Sequence, residues 1–74
     1  MLEACVLLKV VPTRTSPVLE KLTEMNGVEK AYITYGRFDI VCFLKLAEYG
    51  EIRKVTAKIN AIDGVRSTET LVRA

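Results

Sequence analysis

The chain has 74 residues, half of them hydrophobic and 27% charged, with 11 Lys and Arg against 9 Asp and Glu and no histidine. That composition excludes a disordered chain, no apolar run approaches the ~20 residues of a membrane span, and a net charge of +2, carried by scattered cations, does not favour direct nucleic-acid binding. The expectation is one domain over residues 1–74; with no basic and apolar leader before the first strand it is expected in the cytoplasm.

Residues 3–11 (Glu-Ala-Cys-Val-Leu-Leu-Lys-Val-Val) read as a first strand, ended by Pro12, which cannot donate to a ladder. Ser16 and Pro17 are read as the cap and first position of a helix, after which Val18, Leu22 and Met25 share one face with Leu19 beside them. Asn26-Gly27 stops that helix and Val28 opens a strand to Tyr35. Gly36-Arg37 then predicts a tight hairpin into a third strand over residues 38–46. A second helix is expected over residues 48–62, with Ile52, Val55, Ile59 and Ile62 inward and Arg53, Lys54 and Lys58 outward. Asp63-Gly64 ends it, and Val65 to Arg73 form a last strand of mixed polarity suited to a sheet edge.

The two halves repeat. Met25-Asn26-Gly27-Val28 returns 37 residues later as Ile62-Asp63-Gly64-Val65, and Cys5, Val18 and Lys21 recur as Cys42, Val55 and Lys58. The implied fold is α+β, a ferredoxin-like βαββαβ unit whose four-stranded antiparallel sheet has the order 4-1-3-2 and both helices on one face. Ala4, Val6, Leu8 and Val10, with Ile40, Cys42, Leu44 and Leu46, suit the helix side. The opposite face should be wet, yet it carries Cys5, Leu7, Val11, Val41 and Phe43, broken by Lys9 and Lys45. Strands apolar on both faces imply a sheet-to-sheet dimer, with Leu7, Lys9, Val41 and Phe43 in its interface. The repeat would align the two cysteines on one face, but keeping both lysines out of the core places them on opposite faces, where they cannot bond within one chain.

No catalytic constellation is legible. Asp39 and Glu69 could act as acids or bases and Cys5, Cys42, Ser67 and Thr68 as nucleophiles, but without histidine no Cys-His pair exists, no CxxC stands in as a metal motif, and the four glycines stand singly rather than in a phosphate-cradling loop. Neither enzyme activity, nor a metal, nor a cofactor is expected. Two polar clusters remain. In Thr34-Tyr35-Gly36-Arg37-Phe38-Asp39 a carboxylate and a cation flank one glycine, which suits either a plain turn, with Asp39 accepting backbone hydrogen bonds, or a corner that holds a zwitterion. Ser67-Thr68-Glu69-Thr70 offers hydroxyls on an edge strand, as solvation or as contacts to a small polar ligand.

These clusters, in order with the Gly-Val units and the strand Ala4-Cys5-Val6-Leu7-Leu8-Lys9-Val10, resemble the effector-binding domain of the Lrp/AsnC family of amino-acid-responsive regulators over essentially the whole chain. The resemblance implies a domain that dimerises through its sheets, assembles into a higher homo-oligomer and binds an amino acid between dimers. It implies a stand-alone form without the DNA-reading helix-turn-helix, able to join hetero-oligomers with a full-length family member. Carried over by position, Tyr35, Gly36, Arg37, Phe38 and Asp39 lie nearest the ligand, with Thr68 and Thr70 as a second wall. Tyr49-Gly50 departs from the acidic, strongly helical residues usual at the second helix entry. A pure oligomerisation module and a small dimeric α+β-barrel enzyme are the alternative readings.

Overall fold

The computed structural model describes residues 2–73. Its elements are β1 (Leu2–Val10), α1 (Thr15–Glu24), β2 (Val28–Ile33), β3 (Ile40–Leu46), α2 (Tyr49–Asn60) and β4 (Val65–Val72), with one 3-10 turn at Pro12–Arg14 before α1. They form a four-stranded antiparallel sheet of order β2-β3-β1-β4, the order the sequence predicts read from its other edge. No helix among the described residues is long and apolar enough to cross a membrane.

Alternation sets the two faces. Ala4, Val6, Leu8 and Val10 from β1 and Ile40, Cys42, Leu44 and Leu46 from β3 are all buried, and Val18, Leu22, Val55 and Ile59 close over them from the helices. The register places Leu8 opposite Ile40 and Val6 opposite Cys42, so each buried residue stands beside another on the same side of the pleat. Cys42 is fully buried and Cys5 only partly so; the cysteines lie on opposite faces, both are free, and Lys9 and Lys45 are exposed, as the lysine argument requires.

Three local expectations are corrected. The link after β2 is not a two-residue hairpin: β2 stops at Ile33 and β3 starts at Ile40, so Tyr35 and Phe38-Asp39 lie outside the ladder. Asp39 bonds both neighbours, its N–H donating to Leu8 O and its carbonyl accepting from Thr34 N–H, each at 2.8 Å, so the link closes around residues 35–38 rather than around Gly36-Arg37 alone. Ser16 does not cap α1, and Pro17 is its third residue. The 3-10 turn that begins at Pro12 starts the helix earlier, and Pro17 is tolerated because first-turn N–H groups lack intrahelical partners in any case. α2 closes at Asn60, so Ile62, packed against the core from outside the helix, belongs to the turn into β4.

Candidate functional site

Because β1 and β2 run parallel to each other, the end of β2, the end of β1 and the start of α1 meet at one end of the domain. Residues Thr34 to Asp39 form the loop there. Thr34 N–H donates to Asp39 O at 2.8 Å and Thr34 Oγ1 donates to Phe38 O at 2.9 Å, which leaves residues 35–38 as the tip. Gly36 sits at φ +135°, a conformation that side-chain-bearing residues rarely adopt. Tyr35 is 99% exposed and Arg37 is exposed, whereas Phe38 and Asp39 are half-buried. Within one chain the tip aromatic at position 35 therefore has almost nothing to pack against.

Asp39 is committed on one side. Its Oδ2 accepts the Val10 N–H at 2.8 Å, at the end of β1 where the pairing with β3 has stopped and only that with β4 continues. The plain-turn reading of this aspartate as a backbone acceptor is thus part of its role. No described side chain or backbone group donates to Oδ1, so the carboxylate keeps acceptor capacity toward the adjacent cleft. That cleft, about 280 Å³, is lined by Thr15, Ser16, Ile33, Thr34, Tyr35 and Asp39. Sequence reasoning does not single out Thr15 and Ser16 as site residues, although the parallel course of β1 and β2 is enough to bring the start of α1 to this loop.

Thr68 and Thr70 occupy the far edge strand, opposite Leu8 and Val6, and so lie on the helix side with β1 and β3 between them and β2. Thr68 Oγ1 donates to Asn60 Oδ1 at 3.0 Å, tying β4 to the end of α2. A single chain does not bring these threonines to the loop cleft.

The sheet face away from the helices is the second feature. Tyr32, Val41, Phe43, Leu7, Cys5 and Leu71 share it across all four strands. Tyr32 and Phe43 meet edge-on with centroids 6.1 Å apart, and Lys30 Nζ stands 5.7 Å from the Phe43 centroid and 6.0 Å from that of Tyr32. Charged pairs fringe one end of this face, Arg73 to Glu3 at 2.8 Å and Lys45 to Glu29 at 3.7 Å. The Arg73 contact holds the Glu3 carboxyl below the usual carboxylate range. Burial alone pushes the Cys5 thiol up, and burial, with Cys5 as a lesser cause, pushes Cys42 up to about 11, so at neutral pH both are thiols rather than thiolates. Among the described residues no group of three His, Cys, Asp or Glu could hold a metal ion.

A βαββαβ layer with a polar loop at one end and an apolar open sheet face is a small α+β domain of the ferredoxin-like kind. The chain belongs to the Lrp/AsnC ligand binding domain family, whose model matches residues 3–73. In structure it is similar to TTHA0845 from Thermus thermophilus, with TM-score 0.96 and 29% identity over 100% of this chain and 94% of that one. It is also similar to E. coli AsnC, with TM-score 0.90 and 26% identity over 97% of this chain and 50% of AsnC, so it corresponds to half of that protein. A feast or famine regulatory protein from M. tuberculosis, solved in complex with L-methionine, shares the fold with TM-score 0.82 at 20% identity, covering 99% of this chain and 50% of the other. No curated protein matches the chain.

Proposed function

We propose that this domain is a non-catalytic sensor of a free amino acid, which it binds at the Thr34–Asp39 loop where two copies of the chain meet. The observation that carries the reading is the loop itself: Tyr35 is 99% exposed beside a polar cleft that ends on a carboxylate with a spare oxygen. An aromatic left bare by its own chain gains packing when a neighbouring protomer closes over it, and Asp39 supplies the acceptor an α-ammonium needs. Gly36 and Arg37 offer backbone N–H groups and a guanidinium to the α-carboxylate, with half-buried Phe38 next to them in the loop. Thr68 and Thr70 contribute only if a second copy brings its β4 edge to this loop. The complex of the M. tuberculosis relative with L-methionine supports the ligand class.

The dimer is part of the proposal. Leu7, Val41 and Phe43 form the centre of the open face with Lys9 at its margin, and a second copy of that face is its natural cover. Assembly through this face alone, with no ligand, is the competing reading, and so is assembly with a longer family member.

Calorimetric titration with each common amino acid, methionine first, should give saturable heat at up to millimolar ligand together with a change in sedimenting mass. Absence of heat for every amino acid would remove the sensor reading. Asp39→Asn separates it from the pure assembly module, because the amide carbonyl can still accept from Val10 N–H while the charge that holds an ammonium is gone. Loss of heat with assembly intact supports the sensor.

A further inference from the structure

The helix layer holds a groove that the amino-acid reading leaves unused. α1 and α2 each pack on the sheet and scarcely on each other. Between the start of α1 and the end of α2 this leaves an open cavity of about 590 Å³, whose lining includes Arg14, Lys21 and Lys58 with Pro17, Ile62 and Asp63. A neighbouring cavity of about 300 Å³ shares Lys58 and adds Lys45 and Lys54, with the Glu51 carboxylate also in its lining.

Two features make this more than scattered surface charge. Among the described residues Lys21, Lys54 and Lys58 have no carboxylate within ion-pair distance, and Lys54 and Lys58 stand four apart on one helix, where like charges repel. The base of the Arg14 side chain lies against the turn: a methyl group on Gly64 would lie 2.5 Å from its Cβ, so the glycine makes room for the arginine stem there. Its ionic partner among the described residues is Asp63 at 3.4 Å, itself 85% exposed, a pair weak enough for a stronger anion to displace.

We propose that this interhelical groove is a second binding site, for a phosphorylated small molecule of nucleotide size. Three cations lining one cavity answer two or more negative charges, Arg14 can present its guanidinium fork to a phosphate, and the two lysines act as point charges. The volume of the cavity is that of a small-ligand site, and Pro17 and Ile62 in its lining offer apolar surface to the rest of the ligand.

The test is titration of the whole chain with ATP, adenosine and inorganic tripolyphosphate at low ionic strength. Lys21→Gln/Lys58→Gln is compared with Arg53→Gln/Arg66→Gln, which removes the same charge from residues that do not line the groove. Saturable ATP binding is expected, weakened about tenfold or more by the groove pair and about twofold or less by the control pair, with thermal melting unchanged because all four side chains are exposed. Tripolyphosphate binding as tightly as ATP assigns the site to the phosphate chain; ATP binding more tightly than both it and adenosine assigns it to a nucleotide. Equal weakening by the two pairs, or no saturable binding of either phosphate compound at millimolar concentration, overturns the proposal. Methionine heat provides an independent readout, so failure here leaves the loop reading standing.

Discussion

Asp39 shows how one side chain can serve the fold and remain available to a ligand. Replacing it with alanine strands the N–H of buried Val10, which should cost about 1–2 kcal/mol in urea unfolding, whereas asparagine, keeping an acceptor, should cost less than half of that. Equal costs for the two variants would show that the Val10 bond contributes nothing. Cys42 makes a second prediction at this scale. Its thiol ionises near 9.0 when free and at about 11 in the fold, so the folded state is disfavoured only where the thiolate forms. Below pH 9 both states keep the proton and the contribution is complete; from pH 9 to about 11 the unfolded chain ionises first and stability falls. Urea midpoints followed across that window should drop more steeply for the wild type than for Cys42→Ala. Parallel curves would mean that other groups carry the alkaline loss.

Among the elements, the connections differ more than the repeat suggests. Gly64 and Gly36 both lie at positive φ, but only Gly64 is crowded, since an added methyl would meet Arg14, while around Gly36 there is open space. Gly64→Ala should therefore cost about 3 kcal/mol and Gly36→Ala about 1 kcal/mol in denaturant unfolding, and a reversed order would contradict the packing. The sheet order, the two faces and the opposite placement of the cysteines were legible because burial imposes period two on β1 and β3 and an unpaired lysine cannot enter the core. The helix starts and the β2–β3 link were not. Pro17 carries the same local signal at the first or third helical position, and the Asp39 bond to Val10 spans 29 residues of sequence, beyond the reach of any turn rule. The polar loop itself could be picked out, but its lining by Thr15 and Ser16 depends on the crossover bringing α1 back beside it. The separation of Thr68 from the loop likewise follows from strand order rather than composition.

For the molecule as a whole, the decisive surface is the open sheet. Phe43 is 36% exposed, Tyr32 49% and Leu71 53%, with Leu7, Val41 and Cys5 half-buried among them. Covering large apolar side chains is worth about 1.5–3 kcal/mol each when burial is complete, so even partial coverage of several of them in each of two protomers can outweigh the entropy of association. Val41→Lys tests this without disturbing the core, because position 41 faces away from the helices, between Leu7 and Tyr32 in the register. The wild type should sediment at twice the 8.3 kDa of one chain, and the variant at the mass of one chain with unchanged circular dichroism. Cys5 gives an independent probe, since it lies on the same face opposite Phe43 and Leu71. Its alkylation should slow as wild-type concentration rises and stay constant in Val41→Lys. A wild type that sediments as a single chain at micromolar concentration, with Cys5 labelling independent of concentration, would mean that a second copy does not cover this face.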